Sequence, residues 1–233
     1  MASDEPPPGA NDLGIRHRNV LYAVAAFGAI ALVSVIVIGH VRGGRNAAEA
    51  KAHQLATLMH AAGCSYRNVT AYLPLGQPLH RKSLTAKFPW NTSPPSNGQH
   101  YPEWAVWGFY TTAVNPRKVV HNEEHGGVVL WWGPKVSHAV VQALHRFYLE
   151  QPIGGFGTPY ASLGARIAIT AWTATTSPLR YGLNGDYGEG HIAVCPAFTP
   201  ATERAFTAFR ALYRGHSPQG VPLSADKPGM GPS

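Results

Sequence analysis

The chain has 233 residues, 45 % apolar and 13 % charged, so a packed core is within reach and global disorder is excluded. Glycine and proline, at 25 and 20 residues, are too many for a bundle of long helices or a coiled coil and favour a loop-rich α+β domain. The net charge of +7 is thinly spread, with at most two basic residues adjacent (Arg81–Lys82, Arg117–Lys118), which argues against nucleic acid as a partner.

Residues 1–19 are polar, carry Pro6-Pro7-Pro8 and read as a disordered N-terminal arm. Val20 to Ile38 (VLYAVAAFGAIALVSVIVI) bears no charge. As a helix it would reach about 28 Å, the thickness of a hydrocarbon core, so 20–38 is expected to be a transmembrane helix and the lipid bilayer a partner. The stretch is longer than the apolar part of a signal peptide, and it ends Ile38-Gly39-His40-Val41-Arg42, a poor cleavage site. Arg16 and Arg18 precede it while Arg42, Arg45 and Lys51 follow, so charge gives no orientation. The two cysteines are more informative. Cys64 and Cys195 are the minimum for a disulfide, and disulfides persist outside the cytosol. A Cys64–Cys195 bridge and a single-pass cell-membrane protein with its C-terminal domain outside the cytosol are expected.

The folded part is expected over 46–215. Asn46 caps a first helix carrying Leu55, Leu58, Met59 and Ala62 at helical spacing, and Gly63 ends it. Residues 74–102 are irregular and rich in proline (Pro74, Pro78, Pro89, Pro94, Pro95), and loops of that length are usually functional or disordered. Trp104 to Tyr110 reads as a strand, and Gly126 to Trp132 as a second, buried one. Val136, Val140, Val141, Leu144, Phe147 and Tyr148 mark an amphipathic helix, stopped before Pro152. Ile153 to Tyr160 reads as a Gly-rich turn, Arg166 to Trp172 as a third strand and His191 to Cys195 as a short fourth. Thr199 and Pro200 open a last helix, Gly215 ends it, and 216–233 reads as a disordered tail. The expected fold is α+β: a single compact domain with a small sheet and about three helices, preceded by the transmembrane helix.

The densest polar run is Val120-His121-Asn122-Glu123-Glu124-His125-Gly126-Gly127. On one turn of helix, His121 and His125 stand at i and i+4 and share a face, a spacing that lets two imidazoles close on one metal ion. Glu124 sits near that face as a further ligand, a partner orienting an imidazole, or a proton acceptor. The spelling is also H-x-x-E-H, a metalloprotease pattern, but that needs a long helix, and here two glycines and a strand-like run follow at once. Pro94-Pro95-Ser96-Asn97-Gly98-Gln99-His100 presents His100 from a stiffened turn and makes it the best third ligand. The candidate metal set is therefore His100, His121, Glu124 and His125, suited to copper or zinc. Alternatively, these histidines bond to backbone carbonyls and pin the long loop to the sheet. No nucleophile elbow, P-loop or dinucleotide fingerprint is present.

These residues resemble a bacterial family catalogued as domain of unknown function 3105. The resemblance rests on Pro94-Pro95-Ser96-Asn97-Gly98-Gln99-His100, Gly108-Phe109-Tyr110, Val120-His121-Asn122-Glu123-Glu124-His125-Gly126 and Ala171-Trp172, in that order, within roughly 60–215. Members of that family often carry an N-terminal membrane anchor. Many also carry a cysteine shortly before Gly-x-Tyr where this chain has Trp107, so no role of that cysteine transfers. The resemblance implies a domain with a His/Glu/His cluster and brings no activity. Three readings stand: a copper- or zinc-binding module, a non-enzymatic domain with structural histidines that meets a cell-envelope protein partner, and a metal-dependent hydrolase.

Overall fold

The computed structural model describes residues 43–44, 46–73, 77–174 and 187–232. The arm 1–19 and the span 20–38 lie outside the described residues. Among those described, no helix is long and apolar enough to cross a membrane. Contacts divide the chain into two units, Met1–Lys51 and Ala52–Ser233. Residues 43–44 and 46–51 of the first are helical and exposed. Every element named below belongs to the second.

Five strands, β1 (Ser65–Thr70), β2 (Val128–Trp132), β3 (Gly155–Pro159), β4 (Ile167–Thr173) and β5 (Glu189–Cys195), form one sheet in the order β1-β5-β4-β2-β3. Only β2 and β3 run parallel; the other neighbours are antiparallel. The helices are α1 (52–61), α2 (Pro116–Glu124), α3 (His138–Glu150) and α4 (Pro200–Tyr213). The class is α+β, with four helices and a mixed sheet among the described residues.

The unbroken apolar run of β2 is explained by burial on both faces. Val128, Leu130 and Trp132 join Leu55 and Met59 of α1, Leu144 and Phe147 of α3, and Phe206 and Phe209 of α4 in one core. Val129 and Trp131 point the opposite way, into a second core with Val119 of α2, Trp107 and Phe156. Burying one such side chain stabilises by about 1.5–3 kcal/mol, which fixes the register of β2 and sets α2 against the sheet.

The helix ends follow the local chemistry. The side chain of Asn115 accepts from the Arg117 amide and Pro116 opens α2, while the Thr199 side chain accepts from the Thr202 amide at the start of α4. Gly63 ends α1 at a φ of 70°, a left-handed conformation that costs glycine least. The chain then enters the Cys64–Cys195 bridge, where the Cα atoms are 4.2 Å apart, as expected from the cysteine count.

Three expectations are corrected. Trp104 to Tyr110 is not a strand: Trp107 bonds through both backbone groups to Gly229 and Met230, and the Ala105 amide and carbonyl are taken by the Asn122 side chain. The Gly-rich stretch after Pro152 is not a turn alone but contains β3, which pairs with β2 from Gly155 to Pro159. The tail 216–233 is not disordered through 232. It crosses back over α2, with Ser217 and Asp226 buried and the Gly154 amide donating to the Asp226 carbonyl.

The bridge closes a loop of 131 residues by sequence separation, so its loss should cost about 2–5 kcal/mol. Urea unfolding of the protein with and without a thiol reductant, and of Cys64→Ser with Cys195→Ser, measures this. Midpoints unchanged by reduction would contradict a structural bridge.

Candidate metal centre

The final turn of α2 is polar yet wholly buried. Asn122, Glu123 and Glu124 are each 0 % exposed. Each reaches a different part of the molecule. Asn122 clamps the Ala105 backbone, accepting from its amide at 2.9 Å and donating to its carbonyl at 2.8 Å. Glu123 accepts from the Thr170 hydroxyl of β4, which in turn accepts from Trp131 Nε1 at 2.6 Å. Glu124 points into a group of imidazoles.

Glycine chemistry holds this turn in place. The helix stops at Glu124, His125 is its cap, and Gly126 follows at a φ of +90°. A Cβ on Gly127 would lie 2.6 Å from Trp107 and 2.7 Å from the Asn122 carbonyl. The two glycines after His125 therefore serve a left-handed turn and a close approach.

Glu124 Oε2 lies 3.1 Å from His80 Nε2, 3.0 Å from His100 Nε2 and 3.8 Å from His121 Nε2. One ligand atom from each of the four residues falls within 4.8 Å of all the others. A tetrahedral ion with bonds of ~2.0–2.1 Å has ligand–ligand edges of about 3.3–3.4 Å. The carboxylate-to-imidazole separations bracket that edge.

The outer contacts decide which nitrogens carry protons. His100 Nδ1 is 2.8 Å from the Gly98 carbonyl, and His121 Nδ1 is 2.9 Å from the Tyr101 carbonyl. A carbonyl only accepts, so each Nδ1 donates, and in the neutral ring the lone pair sits on Nε2. Both lone pairs then face a carboxylate oxygen. The His121 pKa is lowered to about 3, first by burial and then by the neighbouring His100, with the Tyr101 carbonyl and Glu124 acting in opposition. His121 is therefore neutral at physiological pH, and its Nε2 lone pair is turned toward Glu124 Oε2 at 3.8 Å, an acceptor pair that a cation between them would satisfy.

Segments after α4 complete the surroundings. Gln219 Nε2 donates to Glu124 Oε2 at 2.8 Å, and Ser217 Oγ donates to the Glu124 carbonyl at 2.8 Å. Trp104 packs on His121 and His125 with ring centroids 5.6 and 4.7 Å away, and Trp172 meets His100 edge-on at 5.7 Å. Burial raises the Asp226 pKa, and His125 opposes that rise.

Of the four residues read from the sequence, His100, His121 and Glu124 come together. His125 does not join them. Its ring does lie beside that of His121, with centroids 4.8 Å apart as the i+4 spacing implied, but its Nδ1 faces Asp226 Oδ1 at 3.7 Å. In its place stands His80, which sequence reasoning passed over. Its loop is held by backbone bonds from His100 to Leu79 (3.1 Å) and from Arg81 to His100 (2.8 Å), a pairing that no periodicity announces. His191 lies elsewhere, stacked on Tyr213 at 3.8 Å, with Nδ1 2.9 Å from Asn68 Oδ1 and Nε2 2.8 Å from Thr173 Oγ1. Both of its nitrogens are satisfied there, which is a structural role.

Residues 81–179 match the family model described as a protein of unknown function (DUF3105), which bears out the resemblance over that stretch. No curated protein and no solved structure matches the chain. The matched stretch contains His100, His121 and Glu124, and starts one residue after His80.

Glu123 provides a test of the buried turn. Burial pushes its pKa well above the usual carboxylate range, the Thr170 hydrogen bond opposing only in part, and among the described residues its Oε2 has no hydrogen-bond partner. The native state then holds a proton that the unfolded state releases, so stability is full below the unfolded pKa and falls as pH rises toward the folded one. As pH rises above the ordinary carboxylate range, the wild type should lose stability relative to Glu123→Gln, which has no proton to release, by up to about 1.4 kcal/mol per pH unit. Urea titrations at pH 5, 6 and 7 check this; a constant difference would show that Glu123 is ionised in the fold.

Proposed function

We propose that the domain binds one transition-metal ion, copper or zinc, through Nε2 of His80, His100 and His121 and the carboxylate of Glu124. The observation that carries this reading is the pair of carbonyl contacts at Nδ1 of His100 and His121, which leaves both Nε2 lone pairs aimed at Glu124 Oε2. Backbone carbonyls on the far nitrogen are the usual way an imidazole ligand is oriented and made more basic. Three imidazoles and a carboxylate suit zinc and copper(II). In this reading His125 is not a ligand and belongs to Asp226. The rival reading of purely structural histidines explains the Nδ1 contacts and the bonds of His80 and His100 to Glu124, but not why Nε2 of the neutral His121, with its Nδ1 already donating, is turned to the same oxygen.

We further propose that the domain lies outside the cytosol, anchored by 20–38. The Cys64–Cys195 bridge supports an oxidising compartment, and the uncharged run supports the anchor.

The purified full-length protein, dialysed against zinc or copper(II) and freed of excess ion, should retain about one equivalent. His100→Ala and His121→Ala should each retain under about a tenth of that, because each removes a buried donor that a backbone carbonyl orients. Copper(II) should also quench the fluorescence of Trp104 and Trp172, which pack on the ligand rings. Wild-type protein without bound metal, or a His121→Ala variant that binds equally well, would refute the reading. For placement, a reporter fused after Ser233 should be active only outside the cytosol; activity inside would reverse the assignment.

A further inference from the structure

The four donors are not equivalent. The side chains of His100, His121 and Glu124 are 0 %, 6 % and 0 % exposed, whereas that of His80 is 38 % exposed. The difference extends to the far nitrogen. His100 and His121 each have Nδ1 tied to a carbonyl, while among the described residues His80 makes a hydrogen bond only through Nε2. Such outer partners are worth about 10–100-fold in metal affinity, an advantage that His80 lacks.

His80 nevertheless has a fixed place from which to act. Its backbone forms a bridge with His100, and the Pro78 carbonyl accepts from Gln99 Nε2 at 2.8 Å. Its ring lies on the outer side of the group, stacked on His121 at 5.2 Å and edge-on to His100 at 4.6 Å. Rotation about its own side-chain bonds would carry Nε2 away from the other donors into solvent without disturbing the backbone pairing.

We infer that His80 is the exchangeable ligand of the centre: the ion enters and leaves through its position, and an external neutral nitrogen donor takes that coordination place when the His80 ring swings out. The inference rests on the metal-binding reading above. The exchange is a ligand substitution in which the bond from the metal to His80 Nε2 breaks as the bond to the incoming nitrogen forms. No electron changes hands. Three buried donors keep the ion during the exchange, so the site holds its metal yet passes it to a competing donor at the surface.

The test follows metal release from the full-length protein, loaded with zinc, to an excess of a chromophoric chelator in stopped flow. His80→Ala should still load close to one equivalent and release it faster by on the order of tenfold or more. Free imidazole, added as the probe, should fill the vacated place and slow that release toward the wild-type rate. His100→Ala should fail to load. A His80→Ala variant that releases zinc at the wild-type rate, that loads as poorly as His100→Ala, or whose release imidazole does not slow would overturn the inference and leave the metal reading intact. Failure of the wild type to load would remove both.

Discussion

A carboxylate taken out of water costs several kcal/mol unless its charge is met where it lies, and Glu124 is 0 % exposed. Three stretches far apart in the chain converge to meet it. The loop carrying His80 and His100 comes from one direction, the body of α2 holds Glu124 and His121 from below, and the chain after α4 brings Gln219 and Ser217. That one buried group joins the irregular stretch before α2 to the segment after α4, beside the backbone bonds of Trp107 to Gly229 and Met230. The arrangement also explains why the two segments poorest in regular structure are well placed: polar contacts do for them what sheet pairing does for the strands.

The sheet supplies rigidity and α2 converts it into position. β2 and β4 are buried on both faces, so the apolar residues of α2, Val119 and Val120, have a firm surface to pack on. The neighbouring residues of the same helix are polar and equally buried, which no free-standing amphipathic helix would tolerate. Asn122 fastens the loop, Glu123 fastens the helix to Thr170 and so to the sheet, and Glu124 is left for the histidines. A protonated Glu123 adds an acceptor–donor contact without adding a second negative charge beside Glu124.

Much of this was legible in the sequence. Apolar spacing marked α1, α3 and α4, and the caps at Thr199 and Pro200 marked where α4 begins. The two lone cysteines marked their bridge, and the polar run before Gly126 marked the centre. What escaped had a physical reason in each instance. β3 was hidden because its glycines are positions where the side chain must be absent: Phe109 occupies the space that a Cβ on Gly157 would fill. His125 was misplaced because a shared helix face fixes only where the ring stands, while Asp226 from the segment after α4 takes the side of its Nδ1. His80 was missed because it stands 44 residues from Glu124, in a proline-rich stretch whose geometry depends on tertiary contacts. The segment after α4 looked unstructured because its order comes from single buried polar residues, Ser217 and Asp226, rather than from an apolar pattern.

The fastening of Glu124 by Gln219 has a consequence for how the molecule is made. The two residues are 95 positions apart, and every element of the sheet from β2 to β5 is synthesised between them. As the chain emerges in order, the helix turn with its carboxylate and its histidines appears early, and the amide that orients the carboxylate appears after both cysteines and all four helices. The centre is therefore unfinished throughout the growth of the domain. A full set of outer contacts forms only when the rest of the fold is already in place, which ties the competence of the site to the completion of the chain around it.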